Sequence, residues 1–231
     1  NRILLHFGAV DQVAEVFVNG RYLGKHEGGY LPFSFDITEC VARDDSKDSE
    51  NLLEVKVKDT LSMDYPYGKQ RRARGGMWYT PVSGIWQSVW LEEVPQAYIS
   101  SLKVTADPEH VSVEVRTDGS QTENTDGISV CVTLHDGTVH TIHAEGNTAE
   151  LDMTDIRLSD GSRYQPVLWS TENPYLYRMT VTMGEDTVES YFGLRTVEIK
   201  EIYGLPRVCL NGKPIFLNGV LDQGYFCDGI Y

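Results

Sequence analysis

The chain has 231 residues, 41% of them hydrophobic and 23% charged, with 34 acidic against 20 basic side chains and a formal net charge of -14. That balance excludes a general nucleic-acid binder, which needs a basic face, and disfavours an anionic membrane surface. No run approaches the ~18 apolar residues of a membrane span, so a soluble protein that meets neutral ligands is expected, with neither nucleic acid nor membrane as a partner.

The chain opens inside a strand-like run, Asn1-Arg-Ile-Leu-Leu-His-Phe, with no signal peptide visible, and the native N-terminus is expected to lie upstream. Val13 to Gly24 reads as a strand, an Asn19-Gly20 turn and a returning strand. Leu53 to Lys58 alternates, placing Leu53, Val55 and Val57 inward and Glu54, Lys56 and Lys58 toward water. A long segment rich in Gly, Pro, Arg and Tyr follows from Leu61 to Gly84, and a loop of that length in a compact domain is usually functional. Ile85 to Val94 reads as one strand carrying Trp86 and Trp90 on the same face. These five or six strands fall short of the roughly eight of a closed jelly roll. The expected first domain, 1–94, is therefore an incomplete jelly roll with an exposed edge.

Pro95 marks a boundary. Beyond it, short strands around Ile99, Val111, Ile128, Val139, Tyr175 and Thr187, with an Asp136-Gly137 turn, fit an immunoglobulin-like sandwich over 95–200. The Cys…Trp…Cys spacing of antibody domains is absent. Residues 201–231 begin with a hairpin around Asn211-Gly212 and continue into Ile215 to Leu221, apolar as a fully buried strand would be. Such a strand needs neighbours on both edges, so a further domain is expected to start here. No helical period stands out, and the fold class is all-β.

Cys40, Cys131, Cys209 and Cys227 are scattered and form no C-x-x-C pair, which favours free thiols and a cytoplasmic setting, with secretion left open. His140 and His143 lie three apart on a strand and face opposite sides, so they cannot share a metal ion with His135 without a bulge. The acidic stretch from Asp44 to Glu50 lacks the glycine and the glutamate spacing of a calcium loop. No metal and no cofactor is expected. The basic run from Lys69 to Arg74 reads better as pairing with acidic groups across a domain interface than as a nucleic-acid patch.

Seven segments in order resemble glycoside hydrolase family 2, which includes β-galactosidases, β-glucuronidases and β-mannosidases. They are Val16 to Gly24, Leu31 to Ile37, Asn51 to Val55, Ser83 to Glu92, Leu168 to Tyr177, Phe192 to Ile199 and Leu210 to Val220. The resemblance implies a sugar-binding jelly roll, an immunoglobulin-like domain and the first hairpin and strand of a (β/α)8 barrel. It further implies a retaining β-glycosidase whose two carboxylates, about 5–5.5 Å apart, sit late in that barrel. The family's acid/base Glu typically follows an Asn, and this chain has no Asn-Glu dipeptide. No catalytic residue is assigned, and the piece alone is expected to be inactive.

Its expected contribution is to shape a carbohydrate pocket. Asp64, Arg74 and Trp78 of the long loop, with Asp222 and Gln223 after the apolar strand, are the candidate substrate contacts, because aromatic faces stack on sugar rings and Asp and Arg hydrogen-bond hydroxyls. Galactosidase and glucuronidase relatives usually carry a histidine-containing run after Gly219-Val220, where this chain has Leu-Asp-Gln-Gly-Tyr. The expected partner is a carbohydrate bound through the barrel, and a homo-oligomer is open to a member of this family. The competing readings are a stand-alone carbohydrate-binding or adhesion module and a purely structural pair of sandwiches, neither of which has a use for a barrel-opening segment.

Overall fold

In the computed structural model, residues 1–43, 50–73, 75–119 and 127–222 are described. Every regular element among them is a strand. The chain divides into two compact units, Asn1–Val94 with the tail from Val220, and Pro95–Gly219.

The first unit contains β1 (Arg2–Phe7), β2 (Val10–Asp11), β3 (Val13–Val18), β4 (Arg21–Glu27), β5 (Phe33–Asp36), β6 (Leu53–Lys58), β7 (Gly84–Ile85) and β8 (Val89–Val94). They form a sheet of order β5-β1-β8, a second of order β4-β3-β6, and the short pair β2-β7. Alternation decides which side chains go inside. Leu5 and Phe7 of β1 and Ala14, Val16 and Val18 of β3 are buried in one cluster with Val10 and Ile37. Burying each of the larger of these contributes about 1.5–3 kcal/mol. The β3–β4 hairpin turns through Asn19 and Gly20 at φ of 50° and 78°, the left-handed pair that an Asn-Gly turn of the twisted hairpin type needs.

Two expectations change here. Leu53 and Val57 remain 42% and 37% exposed, so of the three inward positions of β6 only Val55 packs on the core. The alternation is as read, but the face is uncovered because β6 and β8 are edge strands beside an open apolar cleft of about 620 Å³. Ile3, Leu5, Val18, Ile37, Leu53 and Leu91 line it. The expected single strand from Ile85 to Val94 is two strands on different partners: β7 pairs with β2 and β8 with β1. The break falls at Trp86, whose Nε1 donates to the Gly29 carbonyl at 2.7 Å and whose ring meets Tyr30 edge-on. Trp90 instead stacks on His6 at 4.9 Å, so the two tryptophans do not share one platform.

The second unit contains β9 (Ala97–Ala106), β10 (His110–Gly119), β11 (Ser129–Thr133), β12 (Val139–His143), β13 (Thr148–Asp152), β14 (Tyr177–Met183), β15 (Asp186–Phe192), β16 (Val197–Ile202), β17 (Leu205–Leu210) and β18 (Lys213–Pro214). Sheets of order β13-β10-β9 and β12-β11-β14-β15 enclose one core, in which Val111, Val113, Val130, Val132, Met179 and Val181 alternate inward. Tyr177 stacks on Phe192 at 5.2 Å, and its hydroxyl accepts from the Val167 backbone N–H at 2.7 Å and meets the Tyr164 hydroxyl at 3.1 Å.

The hairpin of β17 and β18 turns at Asn211 and Gly212, again with both φ positive, and pairs with β16. The Asn211 side chain ties it down, accepting from the Thr196 N–H and donating to the Trp169 carbonyl, each at 3.0 Å. Ile215 to Leu221 forms no strand, and Phe216, Leu217, Val220 and Leu221 are largely exposed. An apolar strand of that kind is stable only between sheet neighbours; here the Ile215 N–H donates to the Val208 carbonyl of β17 at 2.9 Å, and among the described residues no strand pairs with 216–221.

Candidate functional site

The long loop is an ordered structure clamped at its base. Asp59, one residue past β6, accepts from the Leu61 N–H at 2.8 Å and from the Ser83 hydroxyl at 2.6 Å, so one carboxylate holds both ends. Gln70, buried in mid-loop, donates to the Tyr67 carbonyl at 2.8 Å and accepts from the Val82 N–H at 2.7 Å. The backbones of Lys69 and Arg71 bond to Tyr79, and Gly75 bridges to Trp78. Gly75 and Gly76, at φ of 137° and 61°, allow the chain to reverse between them. This brings the Arg71 guanidinium to 6.0 Å from the centre of the Trp78 ring, within cation–π range. Arg72 donates to the Thr60 carbonyl at 2.6 Å, and the Tyr65 hydroxyl donates to Glu27 at 3.2 Å.

Of the expected contacts, Trp78 is 40% exposed at the loop surface. Asp64 is exposed and accepts from the Ser62 hydroxyl at 2.8 Å, while its own N–H donates back to Ser62. Asp222 is exposed in the tail. Arg74 and Gln223 lie outside the described residues, as does the acidic stretch from Asp44 to Asp48. The structure thus brings Trp78 together with Arg71 of the basic run. Among the described residues, no group of three or more His, Cys, Asp or Glu side chains is placed to hold a metal ion.

Beneath the loop lies a polar pair in the core. Asp11 and Gln12 are 3% and 2% exposed. Burial, followed by the nearby Asp59 charge, pushes the Asp11 carboxyl up from 3.8 to about 6. The bridge between Asp11 and Gly84 joins this buried carboxylate to the C-terminal end of the loop. The sequence offers one signal for it: a polar dipeptide between the apolar pairs Ala9-Val10 and Val13-Ala14.

Two family models match the chain consecutively. Residues 1–95 match the "Glycosyl hydrolases family 2, sugar binding domain", and residues 97–195 match "Glycosyl hydrolases family 2". The chain belongs to glycosyl hydrolases family 2. Within the family it is 30% identical over 238 residues to a β-galactosidase of Thermoanaerobacter pseudethanolicus, an alignment covering 95% of this chain and 29% of that protein. A β-glucuronidase of Formosa agariphila is 25% identical, covering 94% of this chain and 24% of its own length. Among solved structures, the Lactobacillus rhamnosus β-glucuronidase superposes with a TM-score of 0.68 at 28% identity, covering 95% of this chain and 36% of that one. The chain therefore spans about a third or less of the length of these relatives.

In this family 2 chain, Gly29 shows how closely the buried pair is packed. A Cβ added there would fall 2.5 Å from the nearer Asp11 carboxylate oxygen, too close for any real contact. Gly29→Ala is expected to destabilise the first unit by about 1–3 kcal/mol, the usual range for overpacking a filled site. Urea unfolding followed by tryptophan fluorescence would read it, since Trp86 is bonded to the Gly29 carbonyl. An unchanged midpoint would show that the side chain of Asp11 moves aside without cost.

Proposed function

We propose that this chain is the N-terminal, non-catalytic portion of a retaining β-glycosidase, and that its long loop helps to shape the sugar site. The observation that carries the reading is the match to the two family models in sequence, within relatives named β-galactosidase and β-glucuronidase of which the chain covers only about a third or less. Hydrolysis of a β-glycoside with retention needs two carboxylates on either side of the scissile bond. In this proposal both lie beyond Tyr231, and the chain by itself is inactive.

The division that goes with it is a sugar-binding jelly roll over 1–94, an immunoglobulin-like sandwich over 95–200 and the opening of a barrel over 201–231. The open cleft between edge strands β6 and β8 supports a further part of the reading. Its apolar lining suits inward side chains of strands preceding Asn1, which would complete the jelly roll. The exposed apolar run from Phe216 to Leu221 suits a barrel strand that gains its neighbours from the following sequence. Asp64, Arg74, Trp78, Asp222 and Gln223 remain the proposed substrate contacts.

Hydrolysis of a panel of aryl β-glycosides tests the reading. The chain extended by its continuing coding sequence should turn over at least one of them, while residues 1–231 alone should turn over none. An extended protein inert on every β-glycoside would remove the glycosidase and leave a carbohydrate-binding module in its place.

A further inference from the structure

Three Asn-Gly pairs occur in this chain, and their immediate sequences are nearly the same: Val18-Asn19-Gly20, Leu210-Asn211-Gly212 and Leu217-Asn218-Gly219. An asparagine before glycine readily loses its amide, because a glycine without a Cβ lets its backbone nitrogen approach the asparagine Cγ closely. Whether it does so depends on what holds the side chain. Asn19 is held at both ends of its amide. Its Nδ2 donates to the Cys40 carbonyl and to Asn51 Oδ1, and its Oδ1 accepts from the Leu52 N–H, each at 2.8 Å. Asn211 is held likewise, its Nδ2 donating to the Trp169 carbonyl and its Oδ1 accepting from the Thr196 N–H. Both stand in tight hairpin turns at φ of 50° and 49°, and their own N–H groups are bonded to Leu52 and Thr196. Asn218 has none of this. It is exposed, lies outside any strand or turn, and among the described residues its side chain makes no hydrogen bond. Gly219 beside it is open, with no atom within 4 Å of where a Cβ would stand.

We propose that Asn218 is a site of spontaneous deamidation, and that the fold protects the other two pairs. The Gly219 backbone nitrogen gives its proton to solvent and forms a bond to Cγ of Asn218. The Cγ–Nδ2 bond breaks, and the amide nitrogen takes up a proton and leaves as ammonia. Water then opens the resulting cyclic imide at either carbonyl, which leaves aspartate or isoaspartate at position 218. The product carries one more negative charge, placed among the exposed apolar side chains of Phe216, Leu217, Val220 and Leu221. Burial of this segment in a sheet would then strand an unpaired carboxylate. Isoaspartate also lengthens the backbone by one carbon and breaks the alternation that a strand needs. The reaction is thereby confined to chains whose 216–221 segment is unpaired, and it leaves them unfit to pair. This confinement rests on the reading of the run as a barrel strand, whereas the lability of Asn218 in the 231-residue chain does not.

Incubation of the 231-residue chain in mildly alkaline buffer, followed by proteolysis and mass spectrometry, gives the test. The amide-to-acid mass gain is read separately in the three peptides. Conversion at Asn218 should outpace that at Asn19 and Asn211 by on the order of tenfold or more, the factor that two or three side-chain hydrogen bonds confer. In concentrated urea, where only the local sequence remains, the three should convert at similar rates. Gly219→Ala should slow conversion at Asn218 several-fold, and the open space around Gly219 lets the methyl group enter without disturbing the fold. Equal rates at the three pairs in the folded chain, a slower Asn218, or a rate indifferent to Gly219→Ala would each overturn the site. A difference that persists unchanged in urea would overturn the protection by the fold.

In the chain extended by its continuing coding sequence, Asn218 should be protected as well. Conversion as fast there as in the 231-residue chain would overturn the confinement to unpaired chains, whatever the aryl β-glycosides show. An extended protein inert on those glycosides removes the enzyme reading, while the rates at the three pairs are still read directly on this chain.

Discussion

Replacing Asp11 with Asn should stabilise the first sandwich at neutral pH and remove a fall in stability between about pH 4 and pH 6. In the unfolded chain this carboxyl ionises at its ordinary value of 3.8, whereas in the fold it keeps its proton until about 6. Between those values the folded state binds more protons than the unfolded one, so stability falls as pH rises through the window and levels off above it. The displacement corresponds to a cost on the order of 2–3 kcal/mol at pH 7. Asn has the shape of the protonated acid and no charge, so it avoids both the burial of an anion and the repulsion from Asp59. The opposite behaviour belongs to Asp36, Asp107, Asp136, Asp152 and Asp160, whose hydrogen bonds hold them below the usual value and whose contributions are lost only in stronger acid. Subtracting the wild-type urea-unfolding curve from that of Asp11→Asn at each pH isolates the single group. A flat difference from pH 4 to 7, or an Asn variant less stable at pH 7, would refute the account.

The second large effect is expected from Tyr177→Phe in the other sandwich, a loss of about 2–3 kcal/mol. Phenylalanine fills the same volume and keeps the stacking on Phe192, so no cavity term enters. What is lost is the hydroxyl that accepts from the Val167 N–H and meets the Tyr164 hydroxyl. Both tyrosines are fully buried, and burial pushes the ionisation of Tyr177 far above its ordinary range, so the group acts as a neutral phenol throughout. The variant leaves the half-buried Val167 N–H without its acceptor, at about 1–3 kcal/mol, and removes one partner from Tyr164, which keeps its contact to His135 at 2.8 Å. Because the chain has two compact units, calorimetry must resolve two transitions, and only the one belonging to the second unit should move. A shift worth less than about 0.5 kcal/mol would mean that water replaces the hydroxyl.

The contrast between these residues shows what could be read in advance. The Asn19-Gly20 and Asn211-Gly212 turns were legible because they need only two residues of local chemistry, and both appear with the left-handed backbone that such turns require. The inward faces of β11 and β14 were legible because period-two alternation encodes them directly. The segment from Ile85 to Val94 reads as one strand in sequence, whereas its division depends on the Gly29 carbonyl, more than fifty residues away, capturing the Trp86 indole. Asp59 and Gln70 went unnoticed for the same kind of reason: an exposed-looking polar residue becomes a clamp only when distant backbone groups converge on it. In the candidate site, residue types pointed to the loop, but only its folded path could place Arg71 over Trp78.

The position of β1 has a consequence for how the first unit is made. This strand is the middle of its sheet, bonded to β5 on one side and to β8 on the other, with Arg2 opposite Val94. During synthesis it emerges among the earliest segments of this chain, yet its second partner arrives only after the entire long loop has followed it out. Contacts of such sequence separation form slowly, because the loop-closure entropy must be met before any pairing rewards it. Until then β1 carries Leu5 and Phe7 on an unfinished sheet, the condition in which strands pair with the wrong chain. A strand made before the long loop is thus completed only after it.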